Sequence, residues 1–263
     1  MSEPILSFAH ISDSHLHENP QFKGKRDWTS RATTEAVIQS INAHLAPLDF
    51  VLHTGDVGND PLRKEHYHTL QKLIAGLTPP LHVLPGNHDH RIWLRETFYP
   101  QYTTPYYSFE VKGVQMVCLD SSLPYRHDGL IEDEQLAWLE SICVSDNPLP
   151  LIVALHHHPF ALGAEAMDSI RLVNGDSLHR ILLKARHRLK CVLFGHIHER
   201  VMMMRDGIVY ASTLSTWYQS RTWHGQAEFA KADVHQPGYS IITLTADGGV
   251  MMRAVPVNLT AIR

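Results

Sequence analysis

Cysteine is scarce in this 263-residue chain: Cys118, Cys143 and Cys191 are widely spaced and odd in number. That excludes a readable disulfide framework or a cysteine-based zinc site. Cys118 and Cys191 lie inside apolar runs, where a free thiol behaves as a small hydrophobe. No apolar stretch approaches the ~18–20 residues that cross a bilayer, and residues 1–8 lack the basic and long apolar regions of a signal peptide. A soluble, cytoplasmic protein is the expectation. There is also no basic block: 23 Lys and Arg stand against 27 Asp and Glu, a formal charge of -4. Neither a nucleic-acid polymer nor a membrane is therefore an expected partner. Internal repeats, low-complexity tracts and linkers are missing too, which predicts a single domain over residues 1–263. With 44% hydrophobic and 19% charged residues, the chain is neither disordered nor fibrous.

What the chain does have is histidine, 20 residues of it, scattered through structured segments rather than collected in a tag. Histidine is the commonest metal ligand and an acid–base group near neutral pH.

Five segments share one pattern, a short apolar run followed by polar residues. Residues 5–11 precede Asp13 and His15, and residues 50–52 precede Gly55-Asp56. Residues 81–84 precede Gly86-Asn87-His88-Asp89, and residues 151–155 precede His156-His157-His158. Residues 191–194 precede Gly195-His196-Ile197-His198. Short, continuously apolar runs read as strands buried on both faces. Helical patterns fall at 29–45, 61–76, 132–142 and 177–185, the second opening on Asp60-Pro61. Hairpin patterns fall at 106–120, 201–212 and 239–257, with turns at Lys112-Gly113, Asp206-Gly207 and Asp247-Gly248. Strand–helix alternation predicts an α/β sandwich. In open α/β sheets ligands bind beyond the carboxyl ends of the strands, so all five polar clusters converge on one edge.

Asp13 and His15 are two apart, as are His196 and His198, so each pair can face one side. Asp13, His15, Asp56, Asn87, His157, His196 and His198 supply eight contacts if the Asp56 carboxylate bridges. That is four protein donors for each of two ions. Mixed carboxylate, amide and imidazole donors suit Mn, Fe, Co or Zn. Coordination left open to water makes such a site catalytic.

Asp13-Ser14-His15, Gly55-Asp56, Gly86-Asn87-His88-Asp89, His157-His158-Pro159 and Gly195-His196-Ile197-His198 together resemble the motif set of the calcineurin-like metallophosphoesterases, in order, across about residues 5–200. The flavour is similar to the bacterial class III cyclic nucleotide phosphodiesterases and related glycerophosphodiesterases. The resemblance implies a four-layer αββα sandwich of two mixed sheets. It implies one ion on Asp13, His15, Asp56 and His198, and another on Asp56, Asn87, His157 and His196. Aligning on Pro159 selects His157, with His156 and His158 as the neighbours that could take its place. Asn87 and His88 would contact the phosphate, with His88 as leaving-group acid and Asp89 orienting it. A metal-bound hydroxide would attack a small phosphodiester such as cyclic AMP. A glycerophosphodiester or phosphomonoester is the alternative, and a non-enzymatic scaffold of the same fold the remote one. Such families run from monomers to hexamers, which leaves a homo-oligomer open.

The remaining residues carry plainer expectations. His10 and His53, each three before a ligand candidate, read as buried and satisfied; His66, His68, His179 and His187, on helical stretches, read as exposed. Met202-Met203-Met204 reads as strand core. Residues 213–237 form a variable, cap-like segment near the site. There Arg221 and His224 are candidates for substrate contact, and Trp217, Tyr218 and Trp223 for stacking on a base or for packing.

Overall fold

The computed structural model describes residues 3–24, 28–232 and 236–259. Thirteen strands and six helices follow in chain order. They are β1 (Pro4–Ile11), α1 (Ser30–Asn42), β2 (Phe50–His53), α2 (Glu65–Ile74), β3 (Leu81–Val83), α3 (Arg91–Phe98), β4 (Tyr107–Val111), β5 (Val114–Cys118), α4 (Asp133–Cys143) and β6 (Leu151–Ala154). The rest are α5 (Glu165–Asp168), α6 (Gly175–Leu182), β7 (Leu189–Phe194), β8 (Met202–Arg205), β9 (Ile208–Ser212), β10 (Ser220–Arg221), β11 (Ala230–Lys231), β12 (Gly238–Thr245) and β13 (Val250–Pro256).

Two mixed sheets carry the fold, one in the order β13-β12-β1-β2-β3 and the other in the order β4-β5-β6-β7-β9-β8. Phe8, Phe50, Leu52 and Leu244 of the first meet Met116, Ile152, Ala154 and Leu193 of the second in the central core. Behind the first sheet, Ala36, Val37 and Ile41 of α1 pack on Ala9, Val51 and Ile241. Behind the second, Leu139 of α4 and Leu178 and Leu182 of α6 pack on Val153, Val192 and Tyr210. The result is the αββα sandwich, with every residue of β2 and β6 buried, as strands covered on both faces require.

The local signals place most elements. Thr29 caps α1, its hydroxyl accepting from the Ala32 N–H. All three hairpin turns fall where their glycines stand. The helix expected from residue 61 begins instead at Glu65, because the Asp60 carboxylate takes the Leu62 N–H and closes a turn there. Met202 and Met204 are exposed, since β8 is a sheet edge rather than core.

β1–β2–β3 run parallel to one another, as do β5–β6–β7–β9. Their carboxyl ends therefore open along one edge of the sandwich, where the polar clusters sit.

Candidate metal centre

The segments after β1, β2 and β7 turn sharply. Asp13, His15, Asp56, His196 and His198 all have φ between 42° and 70°. Left-handed backbone costs a residue with a Cβ about 1–3 kcal/mol and persists only where the surroundings impose it. Here the imposition is visible: the Asp13 and His15 N–H groups donate to the Gly55 and Asp56 carbonyls. The His196 N–H donates to the Asp13 carboxylate, and that of His88 to Asp56 Oδ1 at 2.9 Å. Gly86 permits a close approach, since a Cβ there would collide with the Asp56 carboxylate.

Two groups of donors converge around Asp56. On one side lie Asp13 Oδ1, His15 Nε2 and His198 Nε2. The two imidazole nitrogens are 3.0 Å apart; His15 Nε2 is 3.5 Å from Asp56 Oδ2, and His198 Nε2 is 3.5 Å from Asp13 Oδ1. On the other side His156 Nε2 lies 3.1 Å from Asn87 Oδ1, 3.1 Å from His196 Nδ1 and 3.4 Å from Asp56 Oδ2.

Tautomers follow from the outer hydrogen bonds. His156 Nδ1–H donates to the Thr54 carbonyl at 2.7 Å, His196 Nε2–H to Ile170 O and His198 Nδ1–H to Tyr218 O, both at 3.1 Å. In the neutral rings, the inward nitrogens are then lone-pair atoms facing other lone pairs and a carboxylate, an arrangement that calls for a cation among them. This orientation of histidine by an outer acceptor is the usual one at metal sites.

Electrostatics agree. Asp13 and Asp56 are buried, and among the described residues no lysine or arginine pairs with either. Burial pushes the Asp13 carboxyl up, and pushes His15, His196 and His198 down toward neutral, ligand-competent rings. Burial also opposes charge on His156 and Asp56. Their mutual attraction outweighs it, however, raising the imidazole to about 9 and holding the carboxylate well below its usual range. The donor set thus fits a pair of borderline ions, with Asp56 shared.

Three expectations need correction. His157 keeps a nitrogen within 4.8 Å of those of His156 and His196, but both its nitrogens are engaged away from Asp56: Nε2–H donates to the His127 carbonyl at 3.1 Å, and Nδ1 accepts from the Ser121 hydroxyl at 2.8 Å. His156, one residue nearer the end of β6, turns toward Asn87, His196 and Asp56 instead, beneath the cleft floor. Pro159 misleads because the residues after a strand need not keep its alternation. Asp89 does not touch the His88 ring, because its carboxylate is occupied by the N–H groups of Val57, Gly58 and Gly86. The His88 Nδ1–H donates to the Asn59 carbonyl instead, at 3.0 Å. Arg221 and His224 do not line the cleft; Arg221 stacks on Trp223, and the His224 ring packs over Gly163. Trp217 is buried, 5.9 Å from the His15 ring. Residues 233–235 of the cap-like segment lie outside the described residues.

The donors floor a cleft of about 430 Å³, walled by His88, His127, Met167, Ile170, Tyr218, Ser220, Phe229 and Ala230. No lysine or arginine is among the described residues lining it. His127, Met167, Ile170 and Phe229 carried no sequence signal, since their place depends on how distant loops meet. His156 did carry one, in the triple histidine itself. His66 and His179, expected on exposed faces, are buried: His179 bonds Tyr210 and Asp206, and His66 bonds Glu18. His10 and His53 are buried but half satisfied, each with Nδ1 unpartnered.

Residues 6–200 match the family described as calcineurin-like phosphoesterase. The chain is 31% identical over 240 residues to the 3′,5′-cyclic adenosine monophosphate phosphodiesterase CpdA of Pseudomonas aeruginosa, covering 90% of this chain and 85% of that one. It is 30% identical over 254 residues to a 3′,5′-cyclic-nucleotide phosphodiesterase of Nostoc sp., covering 94% and 91%. Among solved structures, a dimetal phosphatase from Danio rerio superposes with a TM-score of 0.71 at 13% identity, over 98% of this chain and 100% of that one. That likeness speaks to the fold. Among the described residues no helix is long and apolar enough to cross a membrane.

Proposed function

The chain belongs to the calcineurin-like phosphoesterase family and is a metal-dependent phosphodiester hydrolase; from that premise we propose that it acts on a 3′,5′-cyclic nucleotide, such as cyclic AMP, at a dinuclear centre. Asp13, His15, Asp56 and His198 would hold one ion, and Asp56, Asn87, His156 and His196 the other, drawn from Mn, Fe, Co or Zn. When bound, such a pair supplies Lewis acidity and an activated water.

The observation that carries the substrate reading is the cleft wall. A phosphodiester brings a single negative charge, which the metal floor meets. The described lining offers no further cation for a second anionic group, but it presents Tyr218 and Phe229 as planar apolar faces and Met167 and Ile170 beside them. Aromatic faces of this kind stack on a nucleobase. The relatives named as cyclic-nucleotide phosphodiesterases point the same way.

His88 is the residue for the leaving oxygen. Its Nδ1–H is tied to Asn59, which leaves Nε2 as the atom that carries or gives up a proton on the cleft side. The Asp56 carboxylate pins the His88 backbone, so the ring and the bridging ligand hold a fixed relation.

The test compares turnover of cyclic AMP, a glycerophosphodiester, bis(p-nitrophenyl) phosphate and p-nitrophenyl phosphate, before and after chelation with Mn²⁺ add-back. We expect cyclic AMP to be preferred and activity to vanish and return with metal. Preference for the glycerophosphodiester or monoester overturns the substrate, and metal-independent turnover overturns the mechanism. His88→Ala should lower turnover of cyclic AMP about 10²–10⁴-fold, with a smaller loss on bis(p-nitrophenyl) phosphate, whose leaving group needs no proton.

A further inference from the structure

His66 lies fully buried in the first turn of α2, beneath the loop that follows β2. It packs so closely there that a Cβ on Gly58 would come within 2.9 Å of its Nδ1. That nitrogen is 3.2 Å from the Asn59 N–H, which it shares with the Leu16 carbonyl at 3.0 Å. The opposite nitrogen, Nε2–H, donates to Glu18 Oε2 at 2.8 Å. Asn59 in turn offers its carbonyl to the His88 Nδ1–H. Glu18, His66, Asn59 and His88 therefore form one continuous line of hydrogen bonds ending at the cleft.

We propose that Glu18 and His66 are positioning residues for His88. The inference rests on the reading of His88 given above and supplies the support that Asp89 does not. A His88 ring whose Nδ1–H lacks a fixed acceptor can take either tautomer and can swing. Holding the Asn59 carbonyl in place keeps a proton on Nδ1 and aims Nε2 at the leaving oxygen; acting as the acid, His88 is the imidazolium, which gives its Nε2 proton to that oxygen and is left as the neutral Nδ1–H ring. Glu18 fixes the tautomer of His66, whose Nδ1 lone pair is thereby directed at the Asn59 N–H. Burial pushes His66 down, toward the neutral ring that this acceptor role needs.

His17, Glu18 and His66 also lie close together, but the nitrogens and oxygen that face one another are engaged in hydrogen bonds. His17 Nδ1 accepts the Asn19 N–H at 3.0 Å, His66 Nδ1 accepts that of Asn59, and the His66 proton occupies Glu18. The trio is a hydrogen-bonded support.

The test is a mutant cycle in the full-length protein loaded with Mn²⁺. Kinetics on cyclic AMP and bis(p-nitrophenyl) phosphate are measured for His66→Phe, Glu18→Ala and Glu18→Gln, each alone and with His88→Ala. His66→Phe and Glu18→Ala should each lower kcat on cyclic AMP about tenfold, and less on the activated diester. Glu18→Gln, whose amide oxygen still accepts from His66, should recover most of the activity. Against His88→Ala the same substitutions should change kcat less than about twofold, because residues acting through one another are not additive. Losses of equal size in both backgrounds, or no loss at all, overturn the proposal. Should His66→Phe fail to fold, the half-exposed Glu18 carries the cycle. If His88→Ala were itself without effect, the reading of His88 would fall, and that result is distinguishable from failure of the relay.

Discussion

His10 and His53 should make this protein acid-sensitive in a measurable way. Both are fully buried behind the metal centre. His10 bonds the Thr54 hydroxyl at 2.9 Å and His53 the Ser14 hydroxyl at 2.8 Å, and each Nδ1 lacks a partner. Burial, with the His53 ring beside it, pushes His10 down to about 3; burial, with His156 nearby, does the same to His53. In the unfolded chain each titrates near 6.5. Below that pH the unfolded chain binds a proton that the fold refuses, so stability falls as pH falls toward 3. The slope is about 1.4 kcal/mol per pH unit for each residue. For the pair, going from pH 6.5, where the unfolded histidines are half protonated, to pH 5 removes about 3 kcal/mol, a large share of the roughly 5–15 kcal/mol that holds a domain together. Urea unfolding of chelated protein between pH 5 and 6.5 measures this, with the ligand histidines contributing alike to wild type and variant. His10→Leu should reduce the dependence of unfolding free energy on pH by about 1 kcal/mol per unit averaged over this range, whatever it does to stability at pH 7. An unchanged slope would refute the reasoning.

Other outcomes can be stated briefly. His156→Ala should bind one fewer metal ion per chain by elemental analysis, whereas His157→Ala should keep both, with affinity weakened about 10–100-fold through its neighbours. Gly86→Ala should destabilise the apo protein by about 3 kcal/mol, seen as a lower melting temperature, because its Cβ would strike the Asp56 carboxylate. Phe229→Ala should raise KM for cyclic AMP about tenfold, the worth of one base–aromatic stack, and leave kcat unchanged.

Much of the fold was legible because its signals are local. Apolar runs ending in Asp, Asn and His, glycines at three hairpin turns and the Thr29 cap each depend on a few adjacent residues. The candidate site was legible for the same reason: strand ends that share an edge must bring their polar residues together. Where local logic ran out, the reading slipped. Asp60 looked like a helix cap and closes a separate turn. His66 and His179 sit on helices with polar neighbours, yet partners 48 and 27 residues away draw them inside. Asp89 follows His88 directly but serves the amides of residues 57, 58 and 86.

The sequence by itself determined the α/β class, the convergence of five motifs and six of the seven donors that meet around Asp56, since these follow from the order of apolar runs and the residues that end them; the αββα layering came only with the family resemblance. Only the tertiary structure decided that His156 rather than His157 meets Asn87 and Asp56, that Asn59 rather than Asp89 holds His88, and that Met167, Ile170 and Phe229 wall the cleft. The physical reason is common to all three. Past the end of a strand the backbone leaves its regular alternation, as the left-handed Asp13, His15, Asp56, His196 and His198 record, and side-chain direction is then set by contacts between loops distant in the chain.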